Sequence, residues 1–285
     1  MLEIKNLSFG YSKENVFSDI SFIAKPGEIT AVVGANGAGK STLLKCISGL
    51  EKATGEVEIY GENKKHMPRL KQAEIISFLN QNMDCDAELN VYEVILLGRV
   101  QKLSFKVSDE DRAKVEEIMD LLNITRFAGR KINELSGGQR QMVFIAQTLI
   151  KDPKILILDE PTSALDLNKQ FNLMELMKKI VKERNLITLV TLHHLDMAMR
   201  YADRVVVIGD GGLYDCGTPT DVMTNKMFRD IYKIDSEIYT DERGNAHLIA
   251  FGPTEGGNFT PKTYPEKAEI EEDNSDLRLV QEVVG

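Results

Sequence analysis

Three features of the sequence predict an α/β fold with a mainly parallel core sheet. The apolar run "EITAVVG" (28–34) leads through a glycine-rich loop into "KSTLLKCISGL" (40–50), whose apolar spacing is helical. Two more short apolar runs, "KILILDE" (154–160) and "LITLVTLHH" (186–194), are bounded by polar residues, as parallel strands buried on both faces are. A long stretch of helical periodicity separates the first unit from these runs, so strand–helix alternation is interrupted by a helical insertion.

The elements follow in order. "MLEIKNLSF" (1–9) alternates as a strand, and a turn at Pro26-Gly27 separates it from the run at 28–34. "GEVEIYGEN" (55–63) reads as a hairpin. Residues from about 87 to 150 read as mainly helical, with "NVYEVILLGRV" (90–100) and "DEDRAKVEEIMDLLNI" (109–124) as amphipathic segments. "RVVVIGDGGLYDCG" (204–217) reads as a strand and a turn. "SEIYTDERGNAHLIAFG" (236–252) places two strand-like halves around Arg243-Gly244-Asn245. Residues 262–285 hold seven acidic residues against three basic ones, a mobile acidic tail with one helical turn at "LRLVQEVV". The expected division is a principal domain over 1–240, a hairpin strand region over 241–252 and the tail over 253–285.

Composition narrows the function. A hydrophobic share of 42% and a charged share of 28% describe an ordinary globular protein. The formal net charge of -9 argues against a general nucleic-acid surface, which needs a basic stripe. It leaves room for a local anion site built from backbone N–H groups and one lysine. Cys46, Cys85 and Cys216 are far apart and form no CxxC pair, so neither zinc nor a disulfide framework is expected. The N-terminus lacks the pattern of a signal peptide, and no run approaches the length of a membrane span. Membrane work would require other chains to hold this one in place.

"GANGAGKST" (Gly34–Thr42) fits GxxxxGK[ST] between a strand and a helix. Its glycines let backbone N–H groups close around phosphate oxygens at a helix N-terminus, where the partial charge is favourable. Lys40 is placed to reach the β- and γ-phosphates, and Ser41 to offer a hydroxyl to Mg²⁺. "ILILDE" ends a buried strand with two carboxylates at the ligand edge of a parallel sheet. Asp159 suits Mg²⁺, and Glu160 suits a base that polarises water for attack on the γ-phosphate. "LSGGQRQ" (135–141) supplies a second anion-binding element, with Ser136, Gly137 and Gly138 at a helix start. Two such elements at opposite ends of a domain serve one nucleotide only if two molecules meet head to tail.

On these motifs residues 1 to about 240 resemble the ATP-binding-cassette ATPases. The resemblance implies a P-loop NTPase cassette with a mainly parallel core sheet, an antiparallel β subdomain and a helical signature subdomain. By position, Tyr11 resembles the aromatic that stacks on adenine, and Gly34, Asn36, Gly37, Ala38, Gly39, Lys40, Ser41 and Thr42 resemble Walker A. Gln81 resembles the Q-loop glutamine, implying catalytic and metal-binding roles. Ser136, Gly137, Gly138 and Gln139 resemble the signature, Ile155–Glu160 Walker B, and Ser163–Asp166 the D-loop. His193 falls at the switch histidine. ATP and Mg²⁺ are the implied cofactors and a homodimer sandwiching two ATPs the implied assembly.

Asn90–Arg99 and Arg200–Ile208 further resemble the ATPase subunits of importers for iron chelates, haem and cobalamin. That resemblance implies integral-membrane permease partners, an extracytoplasmic substrate-binding protein acting through them, no nucleic acid, and a place at the cytoplasmic face of the membrane. Val91, Tyr92 and Leu97 are candidates for the permease-docking groove, although packing in the helical core is the role expected of most of them. Asn80 stands where the subfamily carries proline, and "GRVQK" lacks the proline common after GR. The rival reading, a soluble cassette ATPase acting on nucleic acid or the ribosome, calls for two cassettes or a coiled-coil insertion, and the chain shows neither.

His193 and His194 stand side by side at the end of an apolar run. Successive side chains on a strand point to opposite faces, so adjacent histidines do not both face one phosphate. The resemblance gives His193 the sensor role. His194 stands where the family usually has aspartate, a better helix cap than histidine.

Overall fold

The computed structural model describes residues 1–11, 14–81, 88–100, 107–242 and 246–254. The expected tail beyond 254, the turn at 243–245 and Cys85 lie outside the described residues.

The first half of the chain runs β1 (Leu2–Phe9), β2 (Phe17–Ala24), β3 (Ile29–Gly34), α1 (Lys40–Ser48), β4 (Thr54–Ile59), β5 (Glu62–Asn63), α2 (Arg69–Ile75) and β6 (Ile76–Leu79). A helical stretch follows: α3 (Val91–Leu96), α4 (Asp109–Leu121) and α5 (Gly137–Leu149). Then come β7 (Ile155–Leu158), α6 (Leu167–Glu183), β8 (Ile187–Thr191), α7 (Leu195–Tyr201), β9 (Arg204–Gly209) and β10 (Gly212–Gly217). The described chain closes with α8 (Pro219–Val222), α9 (Asn225–Met227), β11 (Ile234–Thr240) and β12 (Ala246–Pro253).

The central sheet has the order β10-β9-β3-β8-β7-β6, with β10 antiparallel at one edge and every other pairing parallel. Its parallel strands are apolar at nearly every position because both faces are covered. Alternation divides them between two cores. Ala31, Val33, Leu156, Leu158, Val205 and Val207 pack with α3 to α6 on one face. Val32, Ile155, Ile157, Val206 and Ile208 pack on the other with α1 and with the antiparallel sheet β2-β1-β4-β5. The expected antiparallel subdomain and helical insertion are therefore both present.

Two strands of this arrangement escape a periodicity reading. In β2 the left-handed residue Asp19 (φ 55°) and a register shift against β1 break the alternation. β6 is four residues long and follows α2 directly. The segment 204–217, read as one strand and a turn, is two antiparallel strands turning at Asp210-Gly211. β11 and β12 pair as a hairpin, so a boundary at residue 240 falls between its strands.

The order β3-β8-β7-β6 decides where chemistry can occur. It sets side by side the carboxyl ends of four strands, which lead into the glycine loop, His193, Asp159-Glu160 and Gln81. Close by in sequence, Arg99 donates through Nε to Asp111 Oδ1 at 2.5 Å, and both are buried. Asp111 also bonds the Ser108 hydroxyl, and Ser108 and Arg99 together hold its carboxyl below the usual range. This pair latches the segment after α3 to the first turn of α4. Among the docking candidates, Val91 is fully buried core, Tyr92 is partly buried, and Leu97 is exposed. No helix among the described residues is long and apolar enough to cross a membrane.

Candidate active site

The glycine loop joins β3 to α1, and a Cβ at its Gly37 would meet nothing within 4 Å. Gly39 caps α1 in the left-handed region (φ 90°), and a Cβ there would stand 2.8 Å from Val16 Cγ1. Asn36, Gly37 and Ala38 line a cavity of about 270 Å³ together with Asp210 and Lys233. Lys40 is buried, and its Nζ donates to the carbonyls of Gly34 and Ala35 at 2.8 and 2.9 Å. Burial lowers its pKa, opposed by the nearby carboxylates of Glu160 and Asp159. Ser41 and Thr42 form the first turn of α1.

Ser41 Oγ donates to Asp159 Oδ1 at 3.0 Å, and the Thr191 hydroxyl donates to the same oxygen at 2.8 Å. The other carboxylate oxygen, Oδ2, is buried with no hydrogen-bond partner. Burial raises the Asp159 pKa, against the two hydroxyl bonds. A buried carboxylate oxygen beside a serine hydroxyl is the oxygen-rich donor set that a hard divalent cation takes, so Asp159 and Ser41 fit Mg²⁺.

Glu160 adopts φ 52°, a left-handed conformation that costs a non-glycine residue about 1–3 kcal/mol. Surrounding bonds over-determine it. Its N–H donates to Thr191 Oγ1 at 2.8 Å, and its carbonyl accepts from Gln141 Nε2 at 3.2 Å and Ser163 Oγ at 3.1 Å. Its carboxylate receives Gln81 Nε2 at 2.5 Å on Oε2 and meets His193 Nε2 at 2.6 Å on Oε1. Gln81 therefore sits on Glu160, with its amide nitrogen engaged there. That bond leaves the amide oxygen of Gln81 as its remaining acceptor.

His193 is half-exposed above Glu160, whereas His194 is the N-cap of α7 and makes no side-chain cap bond. Tyr11 is 66% exposed and edge-on to Phe9, with ring centroids 4.8 Å apart. The structure thus gathers Lys40, Ser41, Gln81, Asp159, Glu160 and His193 into one cluster.

The signature residues lie elsewhere. Ser136 and Gln139 form a reciprocal capping box at the start of α5. Gly138 and Gln139 border a separate cavity of about 460 Å³ with Phe127 and Leu173. A Cβ on Gly138 would come within 2.9 Å of Leu165 Cδ2, so this glycine lets α5 approach the 163–166 loop. Asp166 caps α6, accepting from Lys169 N at 3.0 Å.

Two residues that sequence reading passed over join these parts. Thr191 bridges Asp159 and the Glu160 amide with one hydroxyl. Gln141, fully buried, ties α5 to the Glu160 carbonyl and to Ala164 N (3.3 Å). Each had one available signal: a polar residue where apolar ones were expected. Replacing Thr191 with the nearly isosteric valine leaves a buried N–H without its acceptor. The expected result is a stability loss of about 1–3 kcal/mol, with kcat reduced more than KM for ATP. Chemical denaturation and steady-state kinetics check it, and an unchanged unfolding midpoint together with unchanged kcat would contradict the bridging role.

Comparison with known proteins places this geometry in context. The profile of the family described as ABC transporter matches residues 17–163. The iron(3+)-hydroxamate import ATP-binding protein of Bacillus subtilis is 33% identical over 247 residues, covering 86% of this chain and 92% of that one. An inward-facing metal-chelate type ABC transporter aligns with a TM-score of 0.77 at 27% identity, over 89% of this chain and 98% of that one. A dimeric ATP-binding cassette in a post-hydrolysis state, bound to ADP and Pi, aligns with a TM-score of 0.69 at 30% identity, over 77% and 99% respectively.

Proposed function

The chain belongs to the ATP-binding cassette ATPases of ABC transporters, and from that premise we propose that it powers import of a metal chelate through a separate membrane permease. The observation that carries the catalytic part is the cluster at the carboxyl ends of β3, β8, β7 and β6. The chelate class is supported by the hydroxamate-import relative and the metal-chelate transporter that align over most of the chain.

In this reading the 34–42 loop grips the phosphates, Lys40 moves from the Gly34 and Ala35 carbonyls to phosphate oxygens, and Tyr11 offers an exposed ring to adenine. Asp159 and Ser41 hold Mg²⁺, which when bound offsets charge on the phosphate oxygens. Glu160 accepts hydrogen bonding from the attacking water and polarises it. His193 and Gln81, already on the Glu160 carboxylate, hold that base in place and report the γ-phosphate. Gly138 and Gln139 border a cavity other than that of their own phosphate loop, which supports the use of the helix start formed by Ser136, Gly137, Gly138 and Gln139 on the nucleotide of a second copy. The dimeric cassette that aligns with this chain supports the same assembly. ATP then acts through differential affinity for the closed dimer, and loss of the γ-phosphate reopens it.

Partly buried Tyr92 and exposed Leu97, near Gln81 in sequence, are the surface offered to the permease. The chain would thereby stay at the cytoplasmic face of the membrane. The test is capture of the tagged chain from detergent-solubilised membranes, followed by ATPase assay of the reconstituted complex with ferric hydroxamate, haem or cobalamin and the matching binding protein. One of these is expected to stimulate hydrolysis. Recovery of the chain without a polytopic partner would overturn the transporter reading.

A further inference from the structure

The described C-terminal hairpin packs against the helix that follows His193. His193 has no regular secondary structure of its own: β8 ends at Thr191 and α7 begins at Leu195. Helix α7 therefore sets the turn that carries the imidazole. Its N-cap, His194, makes no side-chain bond to the first-turn amides. The carboxylate in that turn is Asp196, placed where negative charge favours a helix start.

Asp196 does more than face the helix dipole. Its Oδ1 accepts from the N–H of Leu248 in β12 at 3.2 Å, a link between residues 52 apart in sequence. Leu248 also packs its side chain against the helical-side core, beside Ile238 and Ala246 of the hairpin. In the same core lie Met197, Ala198 and Tyr201 of α7. The hairpin and α7 thus share a core and the polar tie at Asp196, three residues beyond His193.

We propose that Asp196 is a positioning residue for ATP hydrolysis: by fastening α7 to the C-terminal hairpin it holds His193 on Glu160. The 2.6 Å contact between His193 Nε2 and Glu160 Oε1 is short and half-exposed, so burial of the imidazole does not fix it. A shift of about 1 Å in a catalytic group costs up to about 100-fold in rate. The inference rests on the reading of His193 as a working part of the site.

The experiment compares Asp196→Ala, Asp196→Asn and His193→Ala in the full chain, by steady-state ATPase kinetics and thermal unfolding. Asp196→Ala is expected to lower kcat about ten-fold with KM for ATP changed by less than about two-fold. Asp196→Asn keeps an acceptor oxygen and should recover most of the loss. If Asp196→Ala lowers only the unfolding midpoint and leaves kcat intact where the protein is folded, or if Asn is as impaired as Ala, the inference is overturned. Full turnover by His193→Ala would overturn the premise instead, so the two failures are distinguishable.

Discussion

Glu160→Gln is expected to cut the ATPase rate roughly 100-fold or more while nucleotide binding persists. Glutamine keeps the shape of the side chain and the left-handed backbone, which is held by Thr191, Gln141 and Ser163 rather than by the carboxylate. What disappears is the ability to accept a proton or polarise water. The substitution also puts an amide NH₂ where one of two donors, Gln81 or His193, now points. A neutral His193 with its proton on Nδ1 can accept from that NH₂ while Gln81 donates to the amide oxygen, and neither contact belongs to the phosphate-gripping loop. ATP affinity should therefore survive, and with hydrolysis blocked the closed dimer should accumulate. Rate, nucleotide binding and mass in solution with ATP read the three quantities separately. Turnover at the unsubstituted rate would sink the assignment of Glu160 as base, whereas loss of binding would mean that it holds the nucleotide.

The sequence exposed some parts of this site more plainly than others, for physical reasons. Lys40, Ser41, Asp159 and Glu160 sit in short contiguous patterns, because a phosphate loop and a strand-end carboxylate pair are local devices. The buried parallel strands were legible because covering both faces makes a short run continuously apolar. Thr191 acts through partners 31 and 32 residues away and Gln141 through partners 19 and 23 residues away, and no local spacing encodes that. Asp196 is the same case at greater range, since its acceptor role depends on a strand 52 residues further on. The short strand β6 was missed because four residues carry too little periodicity, although it delivers Gln81 to Glu160. Val91 is a case where periodicity outweighs resemblance: of the two roles open to it, docking and core packing, it takes the packing role favoured for most of these residues, because the apolar face of α3 turns inward.

The adjacent histidines should separate cleanly on substitution. His193→Ala removes the imidazole that meets Glu160 Oε1 at 2.6 Å, and kcat is expected to fall by roughly 100-fold, as when a preorganised donor at a reacting centre is deleted. His194 occupies the N-cap of α7 but satisfies no first-turn amide with its ring. Its replacement by alanine forfeits no cap bond, so kcat should stay within about two-fold. An aspartate at the same position offers the missing acceptor, and His194→Asp should stabilise the fold by about 1 kcal/mol. ATPase kinetics of the two alanine variants decide the matter, with thermal unfolding of all three as the control. A severe loss in His194→Ala beside a mild one in His193→Ala would mean that the strand register is shifted by one residue at the end of β8. The side chain on Glu160 would then be the wrong one of the pair.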